Sequence, residues 1–172
     1  NVAKRNIPVL VFSLEMDDEQ IGDRIVMSEF IRFRRPDGSF EITPMDYSTR
    51  LNDEQFEKAQ SIYNEMYDLP IFIIDKRGLS VVDIRAKARK VKAEHPNLAL
   101  IIIDYLQLIK PPPNVNKNWA LVVGDIVREL RDLAGELDLP IILLSQLNRS
   151  VEQRENKRPV MSDLRDSGNI EE

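Results

Sequence analysis

Three polar side chains stand at the ends of apolar runs in this chain. Glu15 follows I-P-V-L-V-F-S-L, Asp104 follows L-A-L-I-I-I, and Gln146 follows P-I-I-L-L-S. A carboxylate in such a place can hold a metal ion or move a proton, because a rigid and partly dry surrounding fixes its position. The two acids therefore indicate metal-assisted or acid–base chemistry where buried strands end.

Each of these residues also has a purely structural interpretation. Glu15 precedes M-D-D-E-Q and could cap a helix, Asp104 could be a turn residue, and Gln146 could be an ordinary polar residue at a strand end. Asp75 also follows an apolar run, and we interpret it as a cap or turn residue. A single acid after a single strand favours the structural interpretation, since fold position alone does not assign function.

Hydrophobic periodicity identifies the elements that must position these side chains. Short apolar runs predict buried strands at 7–16, 69–75, 98–104 and 140–147. Helical spacing of apolar residues predicts amphipathic helices at 17–33, 53–67, 80–95 and 119–139. Strands that alternate with such helices predict an α/β domain with a mostly parallel sheet flanked by helices. Ligands of such sheets bind outside the carboxyl ends of the strands, where Glu15, Asp104 and Gln146 are expected.

Composition narrows the class of protein. The 172 residues are 42% hydrophobic and 31% charged, which suits one soluble globular domain with a core. A net charge of −5 argues against broad attraction to nucleic acid, so any such contact must be local. Cysteine is absent, which excludes disulfides and thiolate metal sites. No apolar run approaches the ~20 residues of a membrane span and no signal peptide is visible, so we expect a cytoplasmic protein without membrane association.

Four motifs in a fixed order make the interpretation more specific. They are F-S-L-E-M, I-I-I-D-Y-L-Q-L-I, L-S-Q-L-N-R-S-V-E-Q-R and K-R-P-V-M-S-D-L-R-D-S-G. Together they closely resemble the ATPase domain of DnaB-type replicative DNA helicases, a branch of the RecA-like P-loop NTPase fold. The resemblance covers essentially residues 1–172 as one domain. It is weakest between 32 and 69 and in the loop 111–118.

The resemblance implies a role for each strand-end residue. Glu15 matches the glutamate that polarises the water attacking the γ-phosphate of ATP, a role that suits a carboxylate. Asp104 matches the Walker B aspartate, which binds Mg²⁺, usually through water. Gln146 matches the glutamine that contacts the γ-phosphate and lies where the nucleotide site meets the DNA-binding loops. ATP and Mg²⁺ are therefore the expected substrate and cofactor.

The final motif implies contact with single-stranded DNA. Arg165, Asp166 and Gly168 match a family segment, R-E-S-G, that touches DNA phosphates in the channel of a homo-hexameric ring. A guanidinium pairs with phosphate, and a glycine lets main-chain N–H groups approach one closely. Asp166 replaces the commoner glutamate, and an acid there must act through its backbone amide or by orienting a neighbour. The chain shows no base-reading constellation, as expected of a motor that tracks any sequence.

A large departure from the family pattern concerns the phosphate-binding loop. The chain contains no G-x-x-x-x-G-K-[ST]. The resemblance implies that this loop precedes Asn1, and that the arginine and lysine offered to a neighbouring subunit's ATP lie beyond Glu172. We therefore expect a domain truncated at both ends, inactive alone but part of an active ATPase. Primase and a helicase loader are further partners that the resemblance implies.

Three functional interpretations remain at this stage. The first is the motor domain of a hexameric replicative helicase, which couples ATP hydrolysis to translocation on single-stranded DNA and duplex unwinding. The second is a RecA- or RadA-type recombinase ATPase, which would carry a different segment in place of R-P-V-M-S-D-L-R-D-S-G and form filaments. The third is a degenerate domain that binds DNA or a partner without hydrolysis. An upstream Gly-Lys-Thr/Ser motif would argue against the third.

Overall fold

The computed structural model describes residues 1–32, 37, 47, 49–112, 119–160 and 163. Its strands and helices follow the order predicted from the sequence. They are β1 (Val9–Ser13), α1 (Asp18–Arg32), α2 (Asp53–Tyr67), β2 (Ile71–Ile74), α3 (Val81–Glu94), β3 (Leu100–Asp104), α4 (Trp119–Leu137) and β4 (Ile141–Leu143). Short 3₁₀ turns lie at Ala3–Arg5, Leu106–Leu108 and Arg149–Gln153. The strands are shorter than the apolar runs that predicted them.

The strands form one parallel sheet in the order β2-β1-β3-β4. In the central pair, Val9 is in register with Leu100 and Ser13 with Asp104. The chain leaves β1 towards β2 on one side, whereas it leaves β3 towards β4 on the other. Strand order thus reverses between β1 and β3, which is where open α/β sheets bind ligands at their carboxyl edge. The predicted fold class, a parallel sheet flanked by helices, is confirmed.

Helices α3 and α4 pack on one face of this sheet. That face carries Leu10 and Phe12 of β1, with Ile101 and Ile103 beside them on β3, all fully buried. They share one apolar cluster with residues of both helices: Val81, Ile84, Ala88, Val122, Val123, Ile126, Leu130, Leu133 and Leu137. Burial of so many aliphatic groups, at about 1.5–3 kcal/mol each, gives the sheet a rigid base.

Local side-chain chemistry defines where the helices begin. Asn52 and Ser80 each form a capping box, with Gln55 and Asp83 respectively, at the starts of α2 and α3. The Ser80 hydroxyl and main-chain N–H hold the pKa of Asp83 below its usual value. Asp17 Oδ1 accepts a hydrogen bond from the Gln20 N–H at 2.8 Å, so Asp17, and not Glu15, caps the start of α1.

The chain divides into two compact units. One comprises Asn1–Glu15 with Pro70–Glu172 and contains the sheet, and the other comprises Met16–Leu69 and contains α1 and α2. That the chain forms a single RecA-like domain stays a prediction. Within the described residues, no helix has both the length and the apolar character needed to cross a bilayer.

The helical unit has its own small core. Val26 and Phe30 of α1 pack against Ala59 of α2, with partly buried neighbours around them. The Tyr47 hydroxyl donates to Asp23 Oδ1 at 3.1 Å. Burial, reinforced by that hydrogen bond to Asp23, raises the pKa of Tyr47 to about 12. The phenol therefore stays protonated throughout the neutral range.

Candidate active site

The predicted site residues Glu15, Asp104 and Gln146 all follow strands at the carboxyl edge of the parallel sheet. Glu15 comes two residues after β1, Asp104 ends β3, and Gln146 comes three residues after β4. Since β1, β3 and β4 are neighbours in the sheet, the structure brings the three residues to one edge. Glu15 and Asp104 flank the point where strand order reverses.

Main-chain pairing continues past the end of β1. Ser13 is buried and lies in register with the half-buried Asp104, and the Leu14 N–H donates to the Asp104 carbonyl oxygen at 2.9 Å. Leu14 is itself 2% exposed, so its side chain anchors the backbone just before the exposed Glu15. Glu15 therefore leaves the sheet from a fixed position next to Asp104.

Arg77 fixes the backbone on the other side of Glu15. It follows β2, and its Nη2 donates to the Glu15 carbonyl oxygen at 3.0 Å. The neighbouring Gly78 has φ of +69°, a conformation that side chains with a Cβ rarely adopt. This glycine allows the turn that begins at Arg77.

The loop that carries Gln146 is tied to the turn after β3. Gln146 N–H donates to Gln107 Oε1 at 3.1 Å, and Gln107 Nε2 donates to Ser145 Oγ at 3.0 Å. Leu106 N–H also donates to the Leu144 carbonyl oxygen at 2.9 Å. The segments that follow Asp104 and precede Gln146 are therefore joined by both main-chain and side-chain contacts.

Asp104 suits a metal ion that is shared with a substrate. Within the described ranges, His, Asp and Glu side chains form no group of three or more that could hold a metal ion. Mg²⁺ in nucleotide sites keeps several waters and takes one or two carboxylates together with phosphate oxygens. The hard oxygens of Asp104 at the sheet edge fit that arrangement, in which the substrate supplies further ligands.

Asp163 organises the segment after β4. Its carboxylate accepts a hydrogen bond from the Val160 N–H at 2.7 Å and pairs with Arg154, while its carbonyl oxygen accepts one from the Asn148 N–H at 2.7 Å. Asp163 is only 4% exposed. The Val160 N–H, with Arg154, holds the pKa of Asp163 below its usual value. One acid therefore holds together Asn148, Arg154 and Val160 of the segment after β4.

The predicted DNA-binding residues Arg165, Asp166 and Gly168 lie outside the described residues. The contacts made by Arg77, Gln107 and Asp163 were not predicted. Gln107 could have been noticed as a polar residue inside L-Q-L-I, between the buried Leu106 and Ile109. Arg77 carries no such signal, because its partner lies 62 residues away.

Relatives in sequence cover nearly all of this chain. The protein is 42% identical over 166 residues to the replicative DNA helicase DnaB of Haemophilus influenzae, covering 96% of this chain and 34% of that relative. The chain spans about a third of the length of the curated relatives it matches.

Solved structures share the fold. One, described as an ATPase domain, matches with a TM-score of 0.83 at 33% identity, covering 98% of this chain and 57% of that one. Another, of a DnaB-like replicative helicase and its interactions with primase, matches with a TM-score of 0.81 at 34% identity, covering 98% and 40%. The RecA-like fold predicted from the motifs is thereby confirmed.

The model of one protein family matches the whole chain. That family is described as the DnaB-like helicase C-terminal domain, and the match covers residues 1–172. The helicase interpretation of the motifs is confirmed at the level of family, in preference to the recombinase interpretation. The chain belongs to the DnaB-like helicase C-terminal domain family.

Proposed function

We propose that this chain is the main part of the ATPase motor of a replicative DNA helicase, one that couples ATP hydrolysis to translocation on single-stranded DNA and duplex unwinding. The observation that carries the proposal is the position of Glu15, Asp104 and Gln146 at the carboxyl ends of three adjacent strands, at the edge where strand order reverses. Membership of a helicase family supports the same conclusion.

The chemistry proposed for Glu15 is activation of water. Phosphoryl transfer to water needs an aligned nucleophile and a group that accepts its proton as the bond forms. Glu15 is an exposed carboxylate whose backbone is held by Arg77 and by the β1–β3 pairing at Leu14. A carboxylate held in this way can orient a water molecule without itself reacting.

Asp104 and Gln146 are proposed to act on the phosphate groups. Bound Mg²⁺ would neutralise charge on the phosphate oxygens, and Asp104 would hold its hydrating water. Gln146 is exposed, and its side-chain amide can donate a hydrogen bond to a γ-phosphate oxygen. Gln107 holds the main chain of Gln146, so the side-chain donor of Gln146 starts from a defined position. Loss of the γ-phosphate would remove the partner of this donor.

The proposed function needs a phosphate-binding loop from residues other than those of this chain. No G-x-x-x-x-G-K-[ST] stands in the 172 residues. We therefore propose that the chain belongs to one RecA-like domain of a longer protein and is inactive by itself. The length of the curated relatives, of which the chain covers about a third, supports this.

The proposed assembly is a cytoplasmic homo-hexameric ring around single-stranded DNA. Arg165, Asp166 and Gly168 would line its channel, as their match to the family segment suggests. A primase is a proposed partner because one structural neighbour is a helicase described with its interactions with primase. A helicase loader is proposed from the family resemblance alone.

Strand displacement by the full-length protein tests the proposal. A forked DNA duplex should be unwound in the presence of ATP and Mg²⁺, and a non-hydrolysable ATP analogue should support DNA binding without unwinding. A degenerate domain predicts DNA or partner binding with neither ATP turnover nor strand displacement, and that result would overturn the proposal.

A further inference from the structure

Gln107 lies in a rigid turn directly after Asp104. It occupies the middle of the 3₁₀ turn Leu106–Leu108, between Leu106 and Ile109, each of which is 1% exposed. The turn is tethered to β4 through the hydrogen bond from Leu106 N–H to the Leu144 carbonyl oxygen. Packing on both sides and this tether define the direction in which the Gln107 side chain extends.

The amide of Gln107 engages both main-chain polar groups of Gln146. Its Oε1 accepts from the Gln146 N–H at 3.1 Å, and its Nε2 lies 3.4 Å from the Gln146 carbonyl oxygen as a longer, second donor contact. Nε2 also donates to Ser145 Oγ at 3.0 Å. Because a main-chain N–H only donates, the oxygen of the Gln107 amide must face Gln146 N. The Gln107 side chain therefore bonds the main chain of Gln146 as the backbone of a neighbouring strand would.

This contact replaces sheet pairing where the sheet has ended. The β3–β4 register ends at Ile103 with Leu143, and Leu144 makes two further main-chain bonds, from its N–H to the Ile103 carbonyl oxygen at 3.0 Å and from the Leu106 N–H to its own carbonyl oxygen at 2.9 Å. Gln146 lies beyond these bonds and is exposed. Gln107 is the side chain that ties the main chain of Gln146 to the segment carrying Asp104.

We propose that Gln107 is a positioning residue that holds Gln146 in register with Asp104 for ATP hydrolysis. The proposal rests on the function proposed above for Gln146 and adds a residue to it. Gln107 acts only through the loop it holds, and it need not touch ATP. Displacement of a reacting group by about 1 Å can cost on the order of a hundredfold in rate, so a loosened loop should lower turnover.

The loop also leads to the segment proposed to bind DNA. Two residues after Gln146, the Asn148 N–H donates to the carbonyl oxygen of Asp163, which lies two residues before Arg165. Gln107 and Asp163 thus hold the two ends of the short segment 146–148, which lies between the proposed ATP site and the proposed DNA contact. Loss of Gln107 should for this reason reduce the stimulation of hydrolysis by DNA.

Gln107→Met in the full-length protein provides the main test. Methionine keeps the length and packing of the side chain but removes its hydrogen bonds. We expect kcat for ATP to fall about tenfold or more, KM for ATP to change less than about twofold, and DNA stimulation to decrease. Gln60→Met, on the exposed surface of α2, is the matched control and should behave as wild type.

A double-mutant comparison separates positioning from a general structural role. If Gln107 acts through Gln146, adding Gln107→Met to Gln146→Ala should lower kcat little further. The proposal would be overturned if the fold-losses in kcat of the two single variants multiplied in the double variant. It would also be overturned if Gln107→Met alone had wild-type kinetics. If the wild-type full-length protein did not hydrolyse ATP, the proposed function itself would be overturned.

Hydrogen exchange provides a readout that does not depend on activity. The Gln146 N–H should exchange faster in Gln107→Met, whereas amides of β3 should keep their wild-type protection. An unchanged exchange rate of the Gln146 N–H in Gln107→Met would contradict the proposal that Gln107 holds Gln146. Gln107→Glu keeps the acceptor for Gln146 N–H but loses the donor, so it should restore part of the protection.

Discussion

Arg77 donates a hydrogen bond from Nη2 to the main-chain oxygen of Glu15 at 3.0 Å, and so joins the residues that follow two neighbouring strands. The guanidinium contacts the backbone and leaves the Glu15 carboxylate available for chemistry. A side chain that fixes the main chain of a proposed catalytic residue should influence rate more than stability, because both partners are exposed.

Replacement of Arg77 should therefore slow hydrolysis without unfolding the protein. In the full-length protein, Arg77→Ala should lower kcat about three- to tenfold, as expected for a lost hydrogen bond worth about 1 kcal/mol. The neighbouring exposed Lys76→Ala is the control. Equal steady-state rates for the two variants would show that the contact does not position Glu15.

Glu15→Gln should abolish most turnover while preserving nucleotide binding. The amide keeps the shape of the side chain but draws no proton from water, so we expect a loss of roughly 10²–10⁴-fold in kcat. Binding of a fluorescent ATP analogue and steady-state hydrolysis measure the two effects separately. Glu65→Gln, exposed on α2, should leave both unchanged, and near-normal hydrolysis in Glu15→Gln would remove Glu15 from its assigned role.

Asp104→Asn should change the dependence of activity on Mg²⁺. One charge leaves the neighbourhood of the ion, so the Mg²⁺ concentration for half-maximal hydrolysis should rise about 10–100-fold. If Asp104 serves only the turn, the substitution should instead lower thermal stability and leave the Mg²⁺ requirement unchanged. Titration of Mg²⁺ against activity, with Asp132→Asn on the exposed side of α4 as control, distinguishes the two.

Arg165→Ala should weaken binding of every single-stranded DNA sequence alike. A phosphate contact carries no base information, and a ring multiplies each contact by avidity. We expect the slope of log K against log salt to flatten and DNA-stimulated hydrolysis to fall while the basal rate persists. Two unrelated oligonucleotides at several salt concentrations provide the measurement. Arg131→Ala, on the exposed surface of α4, is the control. If Arg165→Ala bound DNA with the same affinity and slope as this control, the channel assignment would be contradicted.

The contacts that Asp163 makes with Val160 and Arg154 should weaken in acid. The pKa of Asp163 is lower in the folded protein than in an unfolded chain, because the Val160 N–H and Arg154 favour the charged form. Its stabilising contribution is therefore complete above the unfolded value of about 4 and is lost as pH falls through the folded pKa. The stability difference between wild type and Asp163→Asn, measured by thermal unfolding, should be constant at neutral pH and shrink below pH ~4. A difference independent of pH would contradict this assignment.

Local signals explain why the elements were predictable. The capping residues Asn52 and Ser80, and the apolar runs of β1 and β3, act within a few residues of the structure they specify. The ends of strands were less predictable. The run 140–147 suggests a long strand, but the β3–β4 pairing is regular only to Leu143. Main-chain bonds continue at Leu144, and from Ser145 onwards the contacts come from the Gln107 side chain in the turn after β3.

The sequence predicts the common position of Glu15, Asp104 and Gln146 at one edge of the sheet, but not the side chains that hold their backbones. Glu15, Asp104 and Gln146 stand in motifs that can be recognised in the sequence. Arg77 and Gln107 act on partners 62 and 39 residues away, and a hydrogen bond to a distant main-chain atom leaves no periodic or compositional trace. Such supports become visible only when the sheet order is known.

The pairing of Ser13 with Asp104 also affects when the sheet can form during translation. Strand β1 emerges from the ribosome before its β3 neighbour, which follows only after α1, α2, β2 and α3. Pairing so distant in sequence folds slowly, since loop closure must precede any gain from the ladder. Until Asp104 has emerged, the apolar edge of β1 is open to other nascent chains. The sheet edge that carries Glu15 and Asp104 is therefore completed only after β3 has been made, and this chain should depend on chaperones most while α3 and β3 are translated.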